Sequence, residues 1–295
     1  FGVGNAIKAG FDTNKAKHIN QSANEIVENS TNLLNAQRLA CGRSLQQLGE
    51  EKMYIISSTI TEFLDTFQKI KNVNFKETEG FEELNKLHVD NHTFTEMKTL
   101  VNFASSLAGG TIVGTAGGAL VAFGAYGAAQ TLGGSLAAGG LGMAGGAAVL
   151  GGLVAGPALM VIGIVAGNAA KKNLEKAYTN RAEAIQIATR LDSASLQCET
   201  IRRRIYMFYN LLARLDTYFL PLIYKMETIF EEEGDDYGKY SKESKKIIAS
   251  CASVAVSVKS VLDTPLLTDD GLLTDASQNT ATNIEGFLNN MQITY

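Results

Sequence analysis

One run of residues constrains this sequence more than any other feature. Residues 99–170, 72 positions in all, contain no Asp, Glu, Lys, Arg or His. The run consists of two apolar arms, about 105–129 and 141–169, which are joined by the uncharged stretch QTLGGSLAAGG. Each arm is longer than the ~20 residues that a helix needs to cross the hydrocarbon core of a bilayer. The run therefore predicts a central hydrophobic helical hairpin.

Small residues recur at every fourth position within both arms. Residues four apart lie on one face of a helix, so each arm would present a strip without side chains on which a second backbone can pack closely. We interpret the two arms as a glycine zipper. The glycines that we expect to mediate membrane contact and helix packing are Gly110, Gly114, Gly118, Gly142, Gly146, Gly152, Gly156, Gly163 and Gly167.

Two interpretations of the hairpin stay open. In lipid, a helix rich in glycine survives because the alternative is an unsatisfied backbone. Lys98 and the pair Lys171–Lys172 flank the run and would both remain on one side of a membrane. Alternatively, the hairpin is the buried core of a soluble helical bundle. A hybrid of the two would shield the hairpin in solution and release it at a membrane.

The flanking sequence is typical of long helices. Residues 14–72 lack proline, and the second half of this stretch spaces its apolar residues by four and three, as in a coiled-coil-like bundle helix. These residues are Ile56, Ile60, Phe63, Phe67 and Ile70. A second long helix is predicted from about Ala169 to Phe230, with the same spacing. Its stripe comprises Ile201, Ile205, Phe208, Leu212, Leu215, Phe219 and Leu222.

The ends of the predicted elements follow from caps and prolines. Thr93 or Thr95 would cap the helix that leads into the charge-free run. Pro221 is expected to kink or end the second long helix near Leu220. An acidic linker (231–241) precedes a helix at about 242–262, a turn-rich stretch and a last helix at about 275–291. The predicted fold class is all-α: an elongated bundle of long helices with a central hydrophobic glycine-zipper hairpin.

The composition divides the chain into four segments. They are an N-terminal long helix with a polar loop (1–98), the hairpin (99–170), a second long helix (171–233) and a C-terminal helical segment (234–295). The net charge of −4 argues against a nucleic-acid partner, because such binders need clustered cations. Three cysteines without close spacing leave at least one thiol free, which favours a reducing cytosol.

Short motifs within the chain do not indicate catalysis. Gly140, Gly142 and Gly145 match the dinucleotide fingerprint G-x-G-x-x-G. No strand precedes them, however, and the first acidic residue after them is Glu175. His88 and His92 have the spacing of zinc ligands but lack a third ligand, so a polar loop is the preferred interpretation. We therefore predict no enzyme, no catalytic or metal site and no cofactor.

Two charged stretches have a structural and a functional interpretation. Arg202–Arg204 adjoins the apolar stripe of the second long helix and is expected to form its solvated face, with lipid headgroup binding as the alternative. The stretch TDDGLLTD, which contains Asp269 and Asp270, is interpreted as a turn, because a calcium loop needs more alternating oxygen ligands.

Several motifs together resemble a family of bacterial proteins. They are DTNKAKHI (12–19), FQKIKNVNF (67–75), GGSLAAGGLGMAGGAAVLGGLVAGPAL (133–159) and VLDTPLLTDDGLLT (261–274), which contains the pattern DTPLL-x-x-DG. The family is widespread and loosely labelled as chemotaxis proteins, and it implies no activity or catalytic residues. The layout of long helix, hydrophobic hairpin and long helix is similar to that of α-helical pore-forming toxins of the cytolysin A type.

These observations lead to a functional expectation with one alternative. We expect a membrane-interacting, pore-forming helical protein, either a toxin or a defence effector, that assembles with itself or with a helical protein partner on a lipid membrane. We expect it to be cytoplasmic, soluble or membrane-associated, with secretion as a further option. The alternative is a soluble helical scaffold or adaptor whose core is the hairpin.

Overall fold

The computed structural model describes residues 2–75, 91–108, 124–125, 174–268 and 271–294. Within these residues the secondary structure is helical, without strands, which confirms the predicted all-α class. The α-helices are α1 (Gly2–Ile55), α2 (Thr61–Phe67), α3 (Asn91–Ala108), α4 (Leu174–Glu233), α5 (Lys242–Asp263) and α6 (Asp275–Thr294). A π-helical turn (Ile56–Ile60) joins α1 to α2, and a 3₁₀ turn (Tyr237–Lys239) precedes α5.

The N-terminal helical region differs from the predicted single helix in two ways. It begins at Gly2, and the π turn interrupts it before it ends at Phe67 rather than near residue 72. The π turn inserts a residue into the helical repeat, and the Thr61 hydroxyl donates to the Ile56 carbonyl across it, at 2.9 Å. The predicted apolar seam is nevertheless buried throughout, from Ile56 to Ile70.

Helix α4 passes through Pro221, so the prediction that this proline ends the helix near Leu220 is wrong. Pro221 lies at an exposed position, and the apolar stripe on both sides of it remains buried. Packing of this stripe outweighs the ~3 kcal/mol that proline costs within a helix. The predicted start of this helix at Ala169 lies outside the described residues.

The boundaries of the last two helices agree closely with the sequence. The Ser241 hydroxyl caps α5 by accepting from the Ser244 amide at 3.1 Å, and the helix ends two residues before Pro265. Helix α6 begins at the predicted Asp275 and continues to Thr294. Helix α3 already contains Thr93 and Thr95, so the prediction that one of them caps this helix is wrong.

The chain separates into two compact units. Unit 1 comprises Phe1–Arg43, Ala148–Arg202 and Asp269–Gly271, and unit 2 comprises Ser44–Ala147, Arg203–Thr268 and Leu272–Tyr295. The described core of unit 1 is formed by small and branched side chains of α1 and α4. This cluster contains Ala23, Val27, Leu34, Ala184, Ile187, Leu191 and Cys198.

Helix α5 is the central helix of unit 2. Its middle portion is apolar or small on every side, which is typical of a helix that is covered all round. Buried positions include Ile248, Ala252, Val254, Ala255 and Val258. The hydroxyls of Ser253 and Ser257 bond to carbonyls one turn back, at 2.9 Å each, so they need no partner on a neighbouring helix.

An aromatic cluster closes one side of the unit 2 core. Phe63 stacks on Phe67 with a centroid distance of 4.9 Å, and Phe94 of α3 lies 4.6 Å from Phe67. Phe219 of α4 lies 5.4 Å from Phe63. These contacts hold α3, which leads into the charge-free run, against α2 and α4.

The segment that we interpreted as an acidic linker is an ordered connection. Helix α4 extends to Glu233, and Gly234 then adopts a φ of 83°, which is typical of a helix C-terminus. The Lys71 amide donates to the Asp235 carbonyl at 2.6 Å, and the Tyr237 amide donates to the Lys71 carbonyl at 3.0 Å. The stretch FQKIKNVNF (67–75) and the acidic segment 231–241 therefore meet in the fold.

Candidate functional site: where the charge-free segment docks

The structure describes two pieces of the charge-free run, residues 99–108 and 124–125. The nine glycines of the predicted zipper lie outside the described residues, and so do Gly140, Gly142 and Gly145 of the fingerprint match. The site is therefore built from the two described pieces and from the side chains and backbone of unit 2 that contact them.

Gly124 lies directly against the backbone of α1. A methyl group placed on Gly124 would lie 2.1 Å from the carbonyl oxygen of Leu45 and 3.3 Å from the amide nitrogen of Gly49. The distance of 2.1 Å is too short for any side chain, so the two backbones approach this closely only because position 124 is glycine. Gly49 offers a matching position without a side chain on α1.

The next residue, Ala125, is fixed by two backbone hydrogen bonds. Its carbonyl oxygen accepts from the amide of Leu266 at 2.7 Å and from the amide of Leu267 at 3.1 Å. The side chains of all three residues are buried. A carbonyl that accepts two bonds within a dry environment is held more firmly than an exposed one. The DTPLL stretch thus supplies two donors to the charge-free segment.

The loop that carries these donors is itself braced. The Thr274 amide donates to the Leu266 carbonyl at 3.0 Å, and the Thr268 amide donates to the Leu272 carbonyl at 2.8 Å. Leu267 and Leu273 form an isolated antiparallel bridge. The predicted turn residues Asp269 and Asp270 lie outside the described residues, but these flanking residues pair as the two sides of a turn would.

Four charged side chains connect α3, α5 and α1 near the same loop. The Lys259 ammonium lies 2.7 Å from a Glu96 carboxylate oxygen and also contacts the Asp263 carboxylate. Lys52 of α1 is fully buried, and its ammonium lies 3.4 Å from the Leu262 carbonyl oxygen. Glu96 therefore attaches α3 to α5 only three residues before the charge-free run begins.

Burial and neighbouring charges shift the pKa values of this cluster. Burial lowers the pKa of Lys52 to about 7, and the Asp263 charge only partly opposes this effect. Burial also raises the pKa of Asp263, against the opposing effect of Lys259. Burial disfavours the charge on Lys259, but its hydrogen bonds to Asp263 and Glu96 outweigh that effect and raise its pKa. Lys259 therefore stays charged at neutral pH.

The remaining predicted residues occupy structural positions. His92 belongs to α3, where its Nδ1 lies 3.4 Å from Glu96 Oε1. The prediction of a polar loop is therefore wrong for His92. His88 lies outside the described residues. In the described part of the chain, no group of three or more His, Cys, Asp or Glu side chains is placed to hold a metal ion.

The arginine triplet is partly exposed, whereas the cysteines are buried. Arg202 donates to Gln37 at 3.2 Å within unit 1, and Arg204 donates to Ser277 of α6 at 2.8 Å within unit 2. The prediction that the triplet forms a solvated face therefore does not hold for all three arginines. All three cysteines are buried and free, and burial raises the pKa of Cys41 to about 12, so this thiol is protonated at neutral pH.

Sequence reasoning missed the docking contacts of Gly124 and Ala125 and the charged cluster. One signal for the cluster was present in the sequence. Lys52 falls in register with Leu45, Leu48 and Ile55, at the three- and four-residue spacing of the buried stripe. A lysine on such a stripe indicates a charge that needs a partner inside the core.

Comparisons with known proteins add no assignment. No protein-family model matches the sequence, and neither a curated protein nor a solved structure matches it significantly. Among the described helices, none combines the length and the apolar composition that a bilayer crossing requires. The resemblance to a bacterial family and to cytolysin A type toxins therefore stays a prediction.

Proposed function

We propose that this chain is a non-enzymatic, membrane-active helical protein that acts on lipid bilayers through residues 99–170. Pore formation, as a toxin or a defence effector, is the most specific form of the proposal. The observation that carries it is the charge-free run of 72 residues between Lys98 and Lys171. No ionised side chain would have to enter the hydrocarbon core if the hairpin inserted from one side.

The glycine spacing supports close helix packing of this segment in lipid. Within a membrane, helices associate through dispersion contacts and small-residue faces rather than through the hydrophobic effect. Pairs such as Gly114/Gly118 and Gly142/Gly146 have the required four-residue separation. We propose that these faces pack the two arms together or assemble several copies of the chain, and a helical protein partner would use the same faces.

The docking site supports storage of the segment before it reaches a membrane. Gly124 and Ala125 belong to the charge-free run, yet both are buried against α1 and the Leu266–Leu267 loop. This arrangement fits the hybrid interpretation, in which water-exposed helices shield the hairpin and later release it. It is also compatible with a cytoplasmic or secreted protein that becomes membrane-associated.

Liposome leakage and flotation test the proposal directly. Purified full-length protein is added to vesicles of neutral or anionic phospholipid that contain a self-quenching dye, and bound protein is recovered by flotation. We expect dye release and co-flotation with the wild type. Gly114→Leu and Gly146→Leu should reduce release by about tenfold or more, because leucine fills the groove needed for close packing.

A matched substitution distinguishes packing from a general loss of folding. Gly286 is an exposed position of α6 with no heavy atom within 4 Å of an added Cβ, so Gly286→Leu introduces the same side chain at a position that is not closely packed. This variant should release dye like the wild type. The membrane proposal would be refuted if the wild type neither released dye from any vesicle nor floated with it.

The second candidate function is a soluble helical scaffold or adaptor in which the segment stays buried permanently. The close backbone contact between Gly124 and α1 favours the scaffold function, because such close packing is typical of a permanent protein core. It predicts a monomer or dimer whose size is the same with and without detergent and that does not float with vesicles.

A further inference from the structure

The end of α5 and the loop after it contact two parts of the chain: helix α3 just before the charge-free run, and Ala125 within the run. Lys259 binds Glu96, three residues before the run begins. The Leu266 and Leu267 amides bind Ala125, which lies near the end of the first arm. The nine residues from Lys259 to Leu267 thus carry a contact ahead of the first arm and another near its end.

The connection between the two contacts is short and braced. Asp263, which binds Lys259, is followed by Thr264 and Pro265, and the Thr264 hydroxyl bonds to the Ser260 carbonyl at 2.6 Å. The Thr264 hydroxyl also lies 2.9 Å from the hydroxyl of Thr280 in α6. Pro265 restricts the backbone further. Asp263 is therefore separated from the Leu266–Leu267 pair by only two residues, both of which are restrained.

Helix α1 contacts both residue 124 and the end of α5. Leu45 and Gly49 contact Gly124, and Lys52, one turn further on, lies beside Asp263 and contacts the Leu262 carbonyl. The charged groups that face Lys259 are Glu96 from α3 and Asp263 from α5, with Lys52 from α1 behind Asp263. Three helices and one loop therefore converge on the two contacts.

We propose that the end of α5 and the Leu266–Leu267 loop form an autoinhibitory clamp that holds α3 through Glu96 and residues 124–125 through the Ala125 carbonyl as one cooperative unit. Loss of the Glu96–Lys259 ion pair opens the clamp and frees residues 124–125 from the loop. The clamp itself is a property of the protein in solution. Its consequence for membranes rests on the proposed function above.

The test uses Glu96→Gln in the full chain without lipid. Glutamine keeps the shape of the side chain and removes the charge that binds Lys259. The measurement is hydrogen exchange of the Leu266 and Leu267 amides, which are protected by the Ala125 carbonyl at the far contact. We expect their exchange to accelerate at least fivefold, because opening one contact of a cooperative unit weakens the other.

Asp235→Asn is the matched control. Asp235 pairs with Lys71 at 2.6 Å, and its side chain is 48% exposed, compared with 47% for Glu96. This ion pair contacts neither described piece of the charge-free run, so exchange at Leu266 and Leu267 should stay within twofold of the wild type. Gly124→Ala opens the other contact and should accelerate exchange of the Met97 and Leu100 amides in α3.

The outcomes separate the clamp from the membrane proposal. Faster exchange in α3 alone, with Leu266 and Leu267 unchanged in Glu96→Gln, would show two independent contacts and overturn the clamp. Faster exchange at both places without any gain in vesicle flotation supports the clamp and contradicts the membrane function. Increased flotation of Glu96→Gln with unchanged exchange supports the membrane function and overturns the clamp.

Discussion

Replacing Gly124 with alanine tests the closest backbone contact of the charge-free segment. The new methyl group would lie 2.1 Å from the Leu45 carbonyl oxygen and 3.0 Å from the Leu45 carbonyl carbon. An ordinary carbon–oxygen contact is longer by roughly 1 Å, and both sides of this contact are backbone. The segment and α1 must therefore separate, because no flexible side chain is available to move away.

The size of the effect follows from two contributions. Overpacking of a buried contact costs about 1–3 kcal/mol. Separation also weakens the bonds from Leu266 and Leu267 to the Ala125 carbonyl, and each bond contributes about 1 kcal/mol. We expect the docking of residues 124–125 to lose about 2–4 kcal/mol in Gly124→Ala. Exchange of the Leu266 and Leu267 amides should then accelerate by about 30-fold or more.

Gly286→Ala is the matched control, because the same glycine-to-alanine change is expected to stabilise the protein at this position. Position 286 lies within α6, and an added Cβ there meets nothing within 4 Å. Alanine should stabilise the helix by up to about 1 kcal/mol, because it restricts the unfolded chain more than glycine does. Amide exchange and urea denaturation followed by circular dichroism measure both variants. If Gly124→Ala stabilised the protein as Gly286→Ala does, the docking geometry would be refuted.

Substitutions at three further positions test other features of the fold by urea denaturation. Lys52→Met should stabilise the protein by a few kcal/mol at pH 7. Burial lowers the pKa of Lys52 to about 7, so the wild type loses stability as the pH falls from 10.5 towards 7. The stability advantage of Lys52→Met over the wild type should therefore shrink by about 2 kcal/mol between pH 7 and 9. A stability advantage that is independent of pH would contradict this reasoning. Pro221→Ala should stabilise α4 by up to about 3 kcal/mol, since proline lacks the amide of a helix interior, and a loss of stability would indicate that the proline is needed. Gly234→Ala should destabilise the protein by about 1 kcal/mol, because φ is 83° at this position. Gly234→Asn should destabilise it less, because asparagine tolerates positive φ better than alanine. Equal losses of stability in the two variants would exclude the backbone explanation.

The apolar seams show how far periodicity determines the fold. Ile60 and Phe63 in the first long helical region, and Phe208 and Phe219 in α4, are all fully buried as their spacing predicts. Residues at this spacing share one helix face whatever they pack against. The bounds of α5, predicted at about 242–262 and observed at Lys242–Asp263, were likewise visible, because a proline such as Pro265 acts within a few residues of itself.

Local rules failed where distant parts of the chain compensate for a local cost. Pro221 lies inside α4 because the buried stripe on both sides of it stabilises a continuous helix. The π turn at Ile56–Ile60 is associated with the bond from the Thr59 hydroxyl to Asp216, at 2.7 Å, a partner 157 residues away in sequence. Such partners do not enter a helix propensity.

The candidate site combines both kinds of information. The sequence by itself determined the all-α class, the buried seams and a long segment without charge, since these depend on composition and on spacing along one helix. Only the tertiary structure decided that Gly124 packs on α1, that Ala125 accepts from Leu266 and Leu267, and that Lys259 joins Glu96 to Asp263. These contacts link residues far apart in the chain, and their distances depend on how whole helices pack.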